Sequence, residues 1–236
     1  MRTYRAKSGG FPERPYFKYE EIEVICLSEL QKVDLLPASP APVRVDRFIE
    51  KRFGVSHQYE DLADGVLGLT TFGSAGVQAV IVARTLDEEG SKTADRRIRS
   101  TLAHEAGHGL LHTHLFLLQQ NTQPLFGDFS DPSKPRVLCR DVVVSDAKLG
   151  SGYDGRWWEF QANCAMGSLL LPKPLIEQAL EPFCVIRGSL GVKTLDSERR
   201  SEAARCLGDV FDTNPIVARL RIDRLYPSPD ERQLKL

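Results

Sequence analysis

The spacing of apolar residues along the chain predicts several helices and a small number of strands. Helical spacing predicts helices over residues 19–35, 45–53, 93–118, 159–171, 175–180, 198–211 and 215–225. Alternating and β-branched runs predict strands over residues 65–71, 76–83 and 136–145. Residues 1–16 are rich in glycine, proline and charge and are predicted to form an N-terminal arm. The pattern favours an α+β fold.

The longest predicted helix, beginning near Thr93 or Asp95, contains the H-E-x-x-H motif His104-Glu105-Ala106-Gly107-His108. Residues four apart lie on one face of a helix, so His104 and His108 can bind a single metal ion. Imidazole nitrogens suit zinc, and Glu105 is placed to act as general base on a zinc-bound water. The motif therefore predicts one zinc ion per chain and a hydrolytic reaction.

The third ligand is predicted to be Glu159, which opens a second helix downstream. A glutamate on a second helix is the usual third ligand of glutamate-type zinc peptidases. Asn163 lies on the same face as Glu159 and can hydrogen-bond the outer nitrogen of a ligating histidine. His112, one turn after His108, is predicted to have a structural or supporting role beside the metal.

A three-histidine zinc site is an alternative. His114 follows His108 at the spacing used by proteases of the H-E-x-x-H-x-x-G-x-x-H type. That arrangement requires the helix to bend at Leu111, where those proteases carry a glycine. Oxyanion stabilisation needs a further group, and Tyr153, in a glycine-rich loop before Glu159, is the candidate favoured over Arg140 and the histidines.

The metal motifs resemble those of the ImmA/IrrE metallopeptidases. Residues 101–112 (TLAHEAGHGLLH) are similar to that family's T-L-A-H-E-x-G-H-x-L-L-H core. Residues 159–163 (EFQAN), followed by LLLP at 169–172, resemble its E-x-x-A-N … L-L-M-P helix. Weaker likenesses at 42–49 and 210–220 extend the resemblance over roughly residues 42–222. The long stretch from 115 to 158 departs from the pattern as a variable insertion.

The resemblance implies a zincin-like (minigluzincin) core, in which a small, mostly antiparallel sheet packs on an active-site helix and a glutamate helix. It divides the chain into an N-terminal arm and helix (1–42), the peptidase core (43–174) and a C-terminal helix-turn-helix-like segment (175–236). It also implies a bacterial or mobile-element endopeptidase that works inside the cell. The expected substrate is a helix-turn-helix transcriptional repressor.

Composition is consistent with a cytoplasmic enzyme and leaves two alternatives. A net charge of −1 does not indicate nucleic-acid or membrane binding, and the N-terminus lacks the apolar core of a signal peptide. Five scattered cysteines without a C-x-x-C pair indicate reduced thiols. One alternative is a DNA-binding regulator that uses Arg219, Arg221 and Arg224; the other is a toxin or partner-regulated module of a two-gene pair.

Overall fold

The structure is a computed structural model that describes residues 2–5, 13–118, 136–140, 157–187 and 192–227. These residues form a mixed α+β arrangement, as the sequence pattern predicts. The end of the strand predicted at 136–145 and the glycine-rich loop with Tyr153 lie outside the described residues.

The helices of the described residues follow the predicted order closely, and one additional short helix is present. Their bounds are α1 (Tyr19–Lys32), α2 (Val45–Phe53), α3 (Arg84–Glu89), α4 (Lys92–Leu111), α5 (Thr113–Leu118), α6 (Trp157–Leu170), α7 (Lys173–Ala179), α8 (Arg200–Val210) and α9 (Pro215–Leu225). A 3-10 turn, Glu181–Phe183, follows α7. The prediction for 45–53 is confirmed at both ends, because a left-handed Gly54 with φ of 73° ends α2.

The central sheet has four described strands in the order β3-β5-β4-β6. They are β3 (Gln58–Glu60), β4 (Val66–Gly73), β5 (Gly76–Ala83) and β6 (Arg136–Arg140). β4 pairs antiparallel with β5 and β6, whereas β3 pairs parallel with β5. Two hairpins lie apart from this sheet, one formed by β1 (Arg2–Arg5) and β2 (Glu13–Tyr16), the other by β7 (Cys184–Arg187) and β8 (Val192–Leu195).

The motif helix differs from its prediction at both ends. α4 begins after Ser91, whose hydroxyl accepts a hydrogen bond from the Ala94 amide at 3.0 Å, so the N-cap predicted at Thr93 or Asp95 is wrong. The helix ends at Leu111, and His112 caps it before α5 begins. His112 thus lies at the end of the helix rather than within a continuous one.

One hydrophobic core joins the N-terminal, central and C-terminal segments. Its buried members come from α1, α2, the central sheet, α4, α6 and the C-terminal helices, and include Ile22, Phe48, Val82, Leu102, Leu169 and Phe211. α4 packs on β4 and β5 on one side and on α6 on another. The motif helix is therefore surrounded by the core on most of its faces.

Two arginines, the partly buried Arg99 and the buried Arg221, connect the C-terminal helices to this core. Arg99 on α4 donates hydrogen bonds to the carbonyls of Asp212 (3.0 Å) and Val43 (3.1 Å). Arg221 on α9 is 3 % exposed, donates to the Leu171 carbonyl at 3.1 Å and forms a two-pronged ion pair with Glu23 of α1. Such pairs fix orientation, since a guanidinium presents its donors in a rigid fork.

Candidate metal centre

The two helices that carry the predicted ligands cross at a glycine. A Cβ at Gly107 would lie 2.9 Å from the Ala165 Cβ and 3.0 Å from the Ala162 carbonyl oxygen. The absence of a side chain at Gly107 and the small alanines facing it therefore allow α4 and α6 to approach closely. This contact lies between the two motif histidines along α4, and it brings the first turn of α6 beside them.

Three donor atoms converge where the helices meet. The Nε2 atoms of His104 and His108 are 3.0 Å apart. The Glu159 Oε2 lies 3.1 Å from Nε2 of His104 and 3.7 Å from Nε2 of His108. Both histidines are buried and the Glu159 side chain is 15 % exposed, so the group lies at the edge of the core, where solvent reaches one side.

This donor set fits a metal ion. A tetrahedral ion with bonds of about 2.0–2.2 Å keeps its ligand atoms about 3.3–3.6 Å apart, close to the separations within this group. Among the described residues, His104, His108 and Glu159 form the one group of three or more such side chains able to hold an ion. Two imidazoles and a carboxylate leave a coordination position for a further ligand, as in catalytic metal sites.

Asn163 contacts the outer nitrogen of His104. Its Oδ1 lies 2.9 Å from Nδ1 of His104, and because a carbonyl oxygen only accepts, Nδ1–H donates. With that proton on Nδ1, Nε2 is the ring atom that would bind an ion beside His108 and Glu159. Asn163, which the sequence predicts to contact a ligand's outer nitrogen, acts on the first motif histidine.

His112 occupies the corresponding position beside His108. Its Nδ1 lies 2.9 Å from Nδ1 of His108, and its Nε2 lies 3.1 Å from Oε1 of Gln161 on α6. The indole of Trp157 packs edge-on against the His112 ring, with 5.6 Å between ring centroids. His112 therefore lies beside His108, and its second partner, Gln161, is one that the sequence does not indicate.

The charges of the group follow from burial. Burial lowers the pKa of His108 and holds the pKa of His112 well below its usual value, so both rings are neutral near pH 7. Burial alone would raise the pKa of Glu159, but the neighbouring His108 and His104 hold it well below its usual range. An ionised Glu159 and a neutral His108 are the protonation states that metal ligation requires.

The Glu105 side chain contacts the central sheet. Its carboxylate is buried, and Thr70 on β4 donates a hydrogen bond to its Oε2. A Cβ at Gly68 would lie 2.8 Å from Glu105 Oε1 and 2.5 Å from a methyl of Thr101. A larger residue at Gly68 would consequently displace the carboxylate.

The remaining predicted site residues are not members of the described donor group. His114 is placed on α5, and its ring nitrogens do not belong to the group formed by His104, His108 and Glu159. Tyr153 is outside the described residues, as is the side chain of Arg140. The helix does break after Leu111, as the three-histidine alternative requires, but the described donors converge on Glu159.

Gln161 and Thr70 are the two contacts that sequence reasoning missed. Gln161 lies two residues after Glu159, and residues two apart do not share a helix face, so helical spacing gave no reason to select it. Thr70 lies in a strand whose pattern indicates only a buried position. Both contacts depend on how separate elements pack.

Comparisons with known proteins do not assign the chain. No protein-family model matches it, and no curated protein is similar enough to match. Within the part of the chain that the structure describes, no helix is both long and apolar enough to cross a bilayer. The likeness to the ImmA/IrrE metallopeptidases therefore remains a resemblance of motifs.

Proposed function

We propose that this protein is a zinc-dependent endopeptidase with a zincin-like core of the ImmA/IrrE type. The observation that carries the proposal is the convergence of His104 Nε2, His108 Nε2 and the Glu159 carboxylate within 3.0–3.7 Å, on the helix that also carries Glu105. The packing of α4 on the central sheet and on α6 supports this proposal, because such a core would need a sheet, an active-site helix and a glutamate helix in contact.

The proposed roles follow from the chemistry of each side chain. His104, His108 and Glu159 would hold the zinc, which when bound lowers the pKa of water and polarises a peptide carbonyl. Glu105 accepts a proton from the attacking water and passes it to the leaving amine as the carbon–nitrogen bond breaks. Thr70 holds one carboxylate oxygen of Glu105 in place. The products are a carboxylate and an amine.

A helix-turn-helix repressor is the proposed substrate, on the strength of the motif resemblance. The test incubates the purified, zinc-loaded protein with the helix-turn-helix protein encoded beside it and follows cleavage by mass spectrometry. Glu105→Gln should retain zinc and fold but lose cleavage by orders of magnitude, because an amide cannot accept the proton. The matched control is Glu88→Gln, at an exposed position on α3, which should cleave like the wild type.

Two results would contradict the proposal. Cleavage by Glu105→Gln at the wild-type rate would remove the assigned base. Undiminished cleavage after complete removal of metal by a chelator would exclude a metallopeptidase altogether.

The DNA-binding alternative loses support from the geometry of α9. Arg221 is buried against Glu23, and the Arg224 guanidinium lies over the rings of Tyr19 and Phe160 at 4.7 and 5.1 Å. The Arg219 side chain is 79 % exposed and lies 4.0 Å from the Asp223 carboxylate, whereas Arg224, although also exposed, stacks on the two aromatic rings. Two arginines with these partners do not make a basic surface for a phosphate backbone.

A further inference from the structure

We propose that Arg224 recognises an acidic side chain of the polypeptide substrate beside the metal centre. This inference rests on the proposed function and names a chemical requirement of its substrate. Arg224 is an exposed residue of α9, and its guanidinium lies over the rings of Tyr19 and Phe160 at 4.7 and 5.1 Å. Phe160 directly follows the metal-donor residue Glu159 on α6. The stacked guanidinium therefore flanks the first turn of the helix that supplies Glu159.

The surroundings of Arg224 hold its guanidinium in place without neutralising its charge. Two aromatic rings pack against the guanidinium, and its Nη1 contacts the sulfur of Cys164 on α6. Aromatic rings attract a cation but carry no opposite charge. An arginine oriented in this way loses little conformational freedom when it binds an anion, so less of the binding energy is spent on ordering the side chain.

No carboxylate of the described residues forms an ion pair with Arg224. Arg219, the other exposed arginine of α9, lies 4.0 Å from the carboxylate of Asp223. Glu23 of α1 forms its two-pronged ion pair with Arg221. An oriented guanidinium without an opposite charge is suited to a carboxylate from another molecule, since its parallel N–H groups match the two carboxylate oxygens.

The position of Arg224 suits a substrate residue a few positions from the cleaved bond. The Glu159 side chain is 15 % exposed, so a polypeptide would reach the metal donors across the first turn of α6. Phe160, which is 49 % exposed, lies on the same turn and beneath the guanidinium. A helix with its side chains is about 10–12 Å across, and an extended chain covers that distance in about three or four residues.

A polypeptide carboxylate fits this surface better than nucleic acid does. A phosphate backbone requires a row of cations, and the second exposed arginine of α9 lies beside Asp223. Arg224 with Phe160 instead presents one cation next to one exposed aromatic ring. This pair can bind one acidic side chain and contact the apolar part of a neighbouring residue.

The experiment selects peptides that bind the zinc-loaded Glu105→Gln protein, which should not cleave them. The probe is a pool of random decapeptides with amidated C-termini, and the retained peptides are identified by mass spectrometry. The parent protein should enrich Asp and Glu over Asn and Gln. Adding Arg224→Glu should abolish this enrichment and favour Lys and Arg instead. Arg219→Glu makes the same charge reversal at another exposed position of α9 and should keep the acidic enrichment.

A double-mutant cycle then measures the contact itself by fluorescence anisotropy. One retained peptide is synthesised again with its acidic residue changed to the corresponding amide. This peptide should bind the parent about two- to fivefold more weakly, the usual effect of losing an exposed ion pair. The same change should make no difference to binding by Arg224→Gln. Both Arg224 variants should bind zinc like the parent, because Arg224 is not one of the metal donors.

The outcomes separate this inference from the proposed function. Equal acidic enrichment by Arg224→Glu and the parent, or no acidic enrichment by the parent, overturns the role of Arg224 even if the protein is a peptidase. Enrichment found only in a matching pool with free C-termini would assign Arg224 to a chain end and overturn side-chain recognition. A preference that inverts in Arg224→Glu, in a protein that cleaves nothing, would support the role and leave the peptidase proposal to fail separately. Should Arg224→Glu not fold, the cycle with Arg224→Gln still decides the question.

Discussion

Replacing Gly107 by alanine tests whether the close helix crossing assembles the metal centre. The new Cβ would lie 2.9 Å from the Ala165 Cβ, 3.0 Å from the Ala162 carbonyl oxygen and 3.2 Å from the Ala162 Cα. Two of these atoms belong to the α6 backbone, and the third is an alanine methyl, so no rotamer change can relieve the contact. The helices themselves must separate.

The size of the effect follows from these distances. Carbon atoms pack at about 3.5–4.0 Å, so α6 must move by about 0.6–1.1 Å. A shift of that size exceeds the tolerance of a metal–oxygen bond of about 2.0–2.2 Å and would detach Glu159. We expect zinc to bind at least about tenfold more weakly. Overpacking costs about 1–3 kcal/mol, partly offset by about 1 kcal/mol from the better helix propensity of alanine.

The assay combines zinc competition with denaturant unfolding of the metal-free protein. Gly167→Ala is the matched control, because a Cβ there would meet only the Arg221 Cδ at an ordinary 3.6 Å. It should bind zinc normally and be as stable as the wild type or more so. Ala165→Gly, combined with Gly107→Ala, removes one of the clashing atoms and should restore part of the affinity. Normal zinc affinity and unchanged stability in Gly107→Ala would refute the reasoning.

Three further predictions concern the ligands and the fold. Glu159→Ala should largely abolish zinc binding while His114→Ala leaves it nearly intact, as measured by elemental analysis; the reverse would establish the three-histidine site. Arg99→Met should lower the free energy of unfolding by about 1–3 kcal/mol, since it leaves buried carbonyls without donors, yet leave zinc affinity unchanged. Glu29→Gln should cost about 0.5 kcal/mol at pH 7, because the ion-pair partners of Glu29 are exposed. Burial would raise the pKa of Glu29, but its hydrogen bonds to those partners lower that pKa below its usual value. The difference in unfolding free energy between Glu29→Gln and the wild type, measured by urea titration, should therefore vanish as pH falls below about 4.

The helices were predictable where one apolar face repeats without interruption. α2 and α9 match their predicted bounds, and the strand pair β4–β5 lies within two residues of its prediction. The end of α4 was missed because apolar residues continue at helical spacing beyond it. Thr113, whose hydroxyl bonds the Gly109 carbonyl, begins a separate helix there. Short strands such as β3 and β7 have too few residues for a period to show.

The candidate metal centre was predictable only as far as local spacing extends. His104 and His108 are related by one helical turn, and Asn163 is related to Glu159 in the same way, so each pair follows from its own helix. The contact between the two helices depends on Gly107, and the spacing along α4 does not indicate that this glycine packs against α6. Gln161 contacts His112, and this contact depends on the position at which α4 ends, which the sequence pattern did not predict.

Because α4 and α6 cross closely, metal binding and core packing should be thermodynamically coupled. α4 and α6 supply all three donors, and their residues also fill the centre of the hydrophobic core. An ion that binds the folded state stabilises it by an amount that grows with the ratio of its concentration to its dissociation constant. By the same linkage, loosening the crossing lowers affinity even when no donor is altered. The Gly107 contact is therefore the point at which stability and metal affinity should change together.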